Sequence, residues 1–196
     1  MSGRRHLLRT LRHDSRGATI VEFALLAPVL LLTLLGLFDM GYNTYTSSVL
    51  QGAIVKAARG STIEGATPAA LDARVEAAVH DIAPNATVTF DRKAYTSFSD
   101  VGAPEDFTDL NGDGVCNNGE PFEDVNGNAF WDADRGKSGG GGARDAVLYT
   151  VSVSYPRAFP VGKFIGVSNT HEMQSQTVLR NQPWSEQETA VKVSNC

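Results

Sequence analysis

The run ATIVEFALLAPVLLLTLLGLF, residues 18–38, decides how the rest of the chain is placed. It holds one acid and no base over 21 residues. A helix needs about 20 largely apolar residues to cross the hydrocarbon core of a bilayer. The 17 residues before it, MSGRRHLLRTLRHDSRG, carry five arginines and one acid. A basic flank of that kind stays in the cytoplasm and sends the following chain across. The whole chain has 17 Lys and Arg against 22 Asp and Glu, so the part beyond residue 17 has a net charge of −9. Phosphate binding needs clustered bases, which excludes nucleic acid as a partner of this acidic body. Divalent cations suit it better.

One residue of the apolar run is out of place. Glu22 lies within it, where an ionised side chain costs about 2.5–3.5 kcal/mol at the helix centre and less near the end. An ordinary secretory signal would end in a small-residue cleavage site. Here Ala27 is followed by Pro28 and further leucines, and no such site follows Phe38. A plain signal anchor leaves Glu22 unexplained.

Arg16-Gly17-Ala18-Thr19-Ile20-Val21-Glu22-Phe23 resembles the processing site of type IV pilin precursors. In that family a basic leader ends in glycine, a prepilin peptidase cuts after it, and the fifth mature residue is glutamate. Gly17, Ala18 and Glu22 stand at those places. The resemblance implies that Ala18 becomes a new α-amine, and that Glu22 neutralises the amine of a neighbouring subunit during assembly. The longer stretch RGATIVEFALLAPVLLLTLLGLFDMGY, continued by a helical segment to Arg59, resembles the TadE-like family of minor pilins, or pseudopilins, of the tight-adherence pilus system. The expected partners are other pseudopilins, the pilus assembly platform, the prepilin peptidase and the membrane, with no small-molecule substrate.

Beyond the span, Phe38, Tyr42, Tyr45, Val49, Gly52 and Lys56 recur in steps of three and four, one face of a continuing helix. That stripe packs either neighbouring subunits or the chain's own head. Gly60 ends the helix. A second helix is expected over Pro68–Ala83, capped by Thr67, with Leu71, Val75, Val79 and Ile82 on one face. Ala86–Phe90 reads as a strand. In Ala146–Tyr155, Val147, Tyr149, Val151, Val153 and Tyr155 alternate with smaller or more polar residues, and 170–180 offers a partner strand. No helical crossover separates these last two, so they should pair antiparallel. The expected architecture is α+β: a long N-terminal transmembrane helix, a second short helix and a small antiparallel sheet, with a calcium-binding loop inserted between strands. Residues 1–17 form the leader, 18–60 the helix, 61–181 the head with its insertion at 105–142, and 182–196 a C-terminal tail.

The insertion contains DLNGDGVCNNGE, residues 109–120, which matches the D-x-[DN]-x-[DN]-G-x5-E calcium loop at every required place. Asp109, Asn111 and Asp113 take positions 1, 3 and 5, and Gly114 permits the turn at position 6. Val115 supplies a carbonyl at 7, Asn117 stands at 9 and Glu120 is the bidentate ligand at 12. Calcium takes six to eight oxygens in a flexible cage, whereas magnesium demands an octahedron and keeps its waters. Pro104 and Pro121 flank the loop closely, so it lacks the helices of an EF-hand and its role is structural. A second, degenerate copy follows: Asp124, Asn126, Asn128, the Phe130 carbonyl, Asp132 and Asp134. It lacks the position-6 glycine and has Arg135 where the glutamate belongs. A second Ca2+ there needs a borrowed carboxylate, Glu120 or Glu123.

The two cysteines, Cys116 and Cys196, would both lie outside the cytoplasm, where a disulfide persists. They either pair or remain free thiols, because sequence cannot supply the bridge geometry. Of the histidines, His6 and His13 fall in the leader and His80 and His171 in the head, with no nucleophile or phosphate-loop motif beside them. The chain is therefore read as a non-enzyme. It is expected to sit in the inner membrane as a single-pass protein, with its head periplasmic or pilus-associated. Two alternatives remain: an unprocessed, single-pass, membrane-anchored calcium-binding surface protein, and a membrane-tethered metal-dependent hydrolase.

Overall fold

The computed structural model describes residues 17–61, 67–181 and 190–196. The leader up to Arg16, with His6 and His13, lies outside the described residues, as does 182–189. Helix α1 spans Ala18–Gly60 with Pro28 inside it, and the most apolar stretch of α1 has none of its residues buried. By length and composition α1 can cross a membrane. Helix α2 spans Pro68–His80. Thr67 caps it by accepting from the amide of Ala70 at 3.3 Å, and Pro68 opens it, where its missing N–H costs nothing.

Six strands follow: β1 (Thr87–Tyr95), β2 (Pro121–Asp124), β3 (Lys137–Ser138), β4 (Ala146–Pro156), β5 (Thr170–Arg180) and β6 (Lys192–Asn195). The main sheet runs β3-β1-β4-β5, every pair antiparallel, and β2 pairs with β6 in a second, two-stranded sheet. β1 is longer than Ala86–Phe90, because Asp91–Tyr95 pairs with Ala146–Thr150 despite its charged residues.

The chain divides into two compact units. The first contains α1 up to Thr44 together with 157–169. The second contains the rest of α1, α2 and both sheets. Its core gathers Val147, Tyr149, Val151, Val153 and Tyr155 of β4 with Leu50 and Ile54 of α1 and Leu71, Val75 and Val79 of α2, all buried. Alternation along β4 sends these side chains to one face, as period two requires. Asp72 of α2 fastens helix to sheet. It receives both terminal nitrogens of Arg92, at 3.0 and 2.5 Å, and the hydroxyl of Tyr149 at 2.6 Å. The Arg92 guanidinium also lies 4.5 Å from the Tyr149 ring centroid, a cation–π contact.

Two sequence expectations need correction. Of the two alternatives for the stripe Phe38, Tyr42, Tyr45, Val49, Gly52 and Lys56, packing on the chain's own head is the one that fails, since Phe38 and Tyr45 are about 60% exposed. The buried residues of the second unit's portion are Thr46, Leu50, Ile54 and Ala57, one position further round. Hydropathy favours the aromatic stripe, yet a threonine and an alanine allow the closer approach. The C-terminus is also no free tail. Residues 192–195 form β6, and the main chain of Cys196 bonds to Gly119 and Glu120 at 3.0 and 2.9 Å.

Candidate metal centre

Strand β1 delivers the chain to a long excursion that returns at β4. Within it the segment 109–120 closes on its own side chains. The Asp109 carboxylate accepts the amides of Gly112 at 2.6 Å and Gly114 at 2.9 Å. Asn111 Oδ1 accepts Asp113 N–H and Asp113 Oδ1 accepts Val115 N–H, each at 2.8 Å. Glu120 closes the ring: one oxygen takes Leu110 and Asn111, at 2.8 and 3.3 Å, and the other takes Asn117 at 3.1 Å. Aspartate and asparagine suit such places because their short side chains reach amides two or three residues on. Gly112 and Gly114 both have positive φ, 77° and 75°, a conformation that glycine adopts without steric cost. The amide of Asn117 and then the N–H of Val115 hold the Asp113 carboxyl below its ordinary value.

The degenerate copy repeats this pattern position for position. Asp124 accepts Gly127 at 2.7 Å and Ala129 at 3.1 Å. Asn126 Oδ1 takes Asn128 N–H at 3.0 Å, and Asn128 Oδ1 takes Phe130 N–H at 2.7 Å. Ala129, with φ 65°, fills the place of the missing glycine. The carboxylate at the last position is Glu105. One of its oxygens accepts Val125 and Asn126, at 2.9 and 3.4 Å, and the other accepts Asp132 at 3.0 Å. These are the counterparts of Leu110, Asn111 and Asn117 around Glu120.

Glu105 escaped the sequence reading because it precedes the loop it completes, whereas the motif places its glutamate last. Glu120 is committed to its own loop. Glu123 is exposed, and pleating in β2 turns it away from the buried Asp124. Arg135 does not enter the loop. Its guanidinium bonds the Pro104 carbonyl at 2.8 Å and Asp106 at 2.7 Å, and its amide bonds the Ala103 carbonyl at 2.9 Å. This clamp fixes 103–106 beside the second loop. Trp131 adds to it by donating its indole N–H to the Glu105 carbonyl at 2.8 Å. Asp134 leaves the loop altogether and pairs with Lys93 and Tyr95 of β1.

Cys116 and Cys196 are joined by a disulfide, their Cα atoms 5.7 Å apart. The bond ties the first loop to the end of β6, so both loops, β2 and β6 are one connected piece.

Every side-chain donor in the two sets is oxygen, which suits a hard cation such as Ca2+. Glu105 is 1% exposed, Glu120 2% and Asp124 4%, and among the described residues the carboxylates of Glu105 and Glu120 are bonded only by backbone amides. A buried carboxylate is costly unless paired or fully bonded. A cation would offset the repulsion among Glu105, Asp124 and Asp132 and among Asp109, Asp113 and Glu120. Three amides use about three of the roughly four acceptor sites of each glutamate, so a bidentate ion must share or displace them. Among the described residues no group of three His, Cys, Asp or Glu is close enough to hold a metal ion, so each candidate set depends on asparagine and main-chain oxygens as well.

Comparison with known proteins touches a different part of the chain. Residues 17–59 match the family model described as TadE-like protein. No curated protein and no solved structure matches the chain. The head with its two loops therefore stands on its own geometry.

Proposed function

We propose that the chain is a minor pilin, or pseudopilin, supporting assembly of a tight-adherence, type IVb-like pilus, with a head braced by calcium. The match of residues 17–59 to the TadE-like family carries this reading. Gly17 and Glu22 keep the prepilin spacing at the foot of α1. Glu22 is exposed there and makes no hydrogen bond or ion pair among the described residues. The α-amine of a neighbouring subunit, freed by cleavage before Ala18, would neutralise it.

On this reading the prepilin peptidase removes the leader, α1 anchors the protein in the inner membrane, and the head stands in the periplasm or on the pilus. Other pseudopilins and the assembly platform are its partners. Its role is structural rather than catalytic. One Ca2+ is held by Asp109, Asn111, Asp113, the Val115 carbonyl, Asn117 and Glu120. A second is held by Asp124, Asn126, Asn128, the Phe130 carbonyl and Asp132, completed by Glu105. The repeated amide pattern and the buried glutamates support this pairing of loops.

The deciding experiment is intact mass and N-terminal sequencing of the protein from native membranes, beside the Gly17→Arg variant. A wild-type chain beginning at Ala18, with the variant retaining its leader, is the expected result. A wild-type chain beginning at Met1 or Ser2 in cells with active prepilin peptidase would overturn it. The protein would then be an unprocessed, membrane-anchored, calcium-binding surface protein.

A further inference from the structure

The first compact unit contains, besides α1 up to Thr44, the segment RAFPVGKFIGVSN, residues 157–169, which links β4 to β5. This segment is built, not slack. Pro160–Ile165 is a 3-10 helix ended by Gly166 in the left-handed region, φ 77°. The amide of Val167 returns to the Gly162 carbonyl at 2.9 Å. A Cβ on Gly162 would stand 2.9 Å from that of Val167, so the two strands of the strap touch because residue 162 has none. The base is closed by Arg157, whose amide bonds the Asn169 carbonyl at 2.8 Å and whose Nε bonds the Ser168 carbonyl at 3.0 Å.

The strap meets α1 where the apolar run ends. The rings of Phe159 and Phe38 lie 6.1 Å apart, and the Arg157 guanidinium pairs with Asp39, which also receives the Asn43 amide at 3.2 Å. Ala18–Phe38 rises about 31 Å as a helix, close to the ~30 Å thickness of a hydrocarbon core. If that run spans a bilayer, Phe38 marks its outer boundary and the strap lies at headgroup depth. Its chemistry fits that level. Apolar residues dominate, Val167 is 42% exposed, Lys163 is exposed, and the segment contains no acid. Aromatic and aliphatic side chains with a cation beside them collect at membrane interfaces. Among the described residues of this unit the acid beside the strap is Asp39, which is 8% exposed and paired with Arg157.

We propose that residues 157–169 are an interfacial membrane contact: a strap that lies in the headgroup region of the bilayer α1 crosses, with Lys163 toward anionic lipid. Continuity with the apolar run and the charge of the strap favour lipid over protein as the occupant. The proposal rests on α1 being the membrane anchor, so its test reads the two separately.

The full chain carries an environment-sensitive fluorophore on Val167→Cys, on Leu31→Cys or on Phe130→Cys, attached without reducing Cys116–Cys196. Each is reconstituted into phosphatidylethanolamine–phosphatidylglycerol vesicles at low protein density. The probe at 167 should shift to the blue, resist iodide, and be quenched more by spin-labelled lipid near the headgroup than near the acyl end. The probe at 31 should be quenched most by the deep label, and that at 130 should remain in water. A probe at 167 open to iodide while that at 31 is deep would overturn the strap and leave the anchor standing. Protection at 167 that ignores spin-labelled lipid and grows with protein density would also overturn it, assigning the face to a second copy. A probe at 31 in water would remove anchor and strap together.

Discussion

Glu105 and Asp132 hold each other twice: the amide of Glu105 donates to the Asp132 carbonyl at 3.0 Å, and the Glu105 carboxylate accepts the Asp132 amide at 3.0 Å. The two residues are far apart in sequence, and this pair of hydrogen bonds turns an open acidic turn into a closed ring with a buried carboxylate. Glu105→Gln keeps the size but removes the charge and puts an amide donor where an acceptor is needed. Leaving buried groups unsatisfied costs about 1–3 kcal/mol. The variant should melt lower than wild type in calcium and bind one ion fewer by calorimetric titration. Unchanged stoichiometry would remove Glu105 from the second set.

Chelation should act on both loops. Anything that binds the folded state alone stabilises it by mass action, by about 2.7 kcal/mol when the ligand is at one hundred times its dissociation constant. Saturating Ca2+ should therefore raise the melting temperature over that in chelator. Glu120→Gln and Asp109→Asn should each shrink that gap. A melting curve that ignores both calcium and chelator would refute the calcium brace.

The disulfide closes a loop of 80 residues between Cys116 and Cys196. Cross-links stabilise by about 2–4 kcal/mol in general, and long loops such as this one stand at the upper end, chiefly by restricting the unfolded chain. Cys196→Ser should lower thermal stability by that order and free β6 from β2. Because Cys116 lies inside the first loop, the variant should also weaken calcium binding. Hydrogen exchange at the amides of Cys196 and Gly119, which donate to the Glu120 and Cys196 carbonyls at 2.9 and 3.0 Å, reads the loosening directly.

What was legible in the sequence was local. The 18–38 run, the cap at Thr67, the alternation of β4 and the spacing of 109–120 each follow from neighbours a few residues apart. What was missed depends on distant partners. The inner stripe of α1 includes polar residues, Asp39 and Asn43 in the first unit and Thr46 in the second, and hydropathy cannot see that Arg157, 118 residues away, neutralises Asp39. β6 is too short and mixed to read as a strand until β2 is beside it. Glu105 carried a faint signal: the second loop had an oxygen donor for every ligating position except the last, and a displaced acid had to be sought on either side.

Asp134 ties the exit of the second loop to β1, and its setting makes stability depend on alkaline pH. It accepts Lys93 Nζ at 2.7 Å, the Tyr95 hydroxyl at 2.9 Å and the Gly136 amide at 3.1 Å. Burial alone would raise its carboxyl, but the bonds from Lys93, Tyr95 and Gly136 together hold it below its ordinary value. Burial first, and then the bond to Asp134, pushes the Tyr95 phenol up to about 12. The bond to Asp134 likewise raises Lys93. A group whose pKa rises on folding gives stability that is whole below its unfolded value and lost as pH climbs through the folded one. The Tyr95 contribution is thus intact up to about pH 10, the ordinary phenol value, and drains away as pH rises toward 12. Asp134 acts at the other end, its share present above about pH 4 and lost in stronger acid. Tyr95→Phe should cost about 1 kcal/mol near neutrality, the net worth of one hydrogen bond. It should also flatten the decline between pH 10 and 12. Tyr149, raised by burial and by Asp72, keeps some decline in the variant. Denaturant unfolding of both proteins across that range is the measurement, and parallel losses would mean that Tyr95 does not carry the alkaline transition.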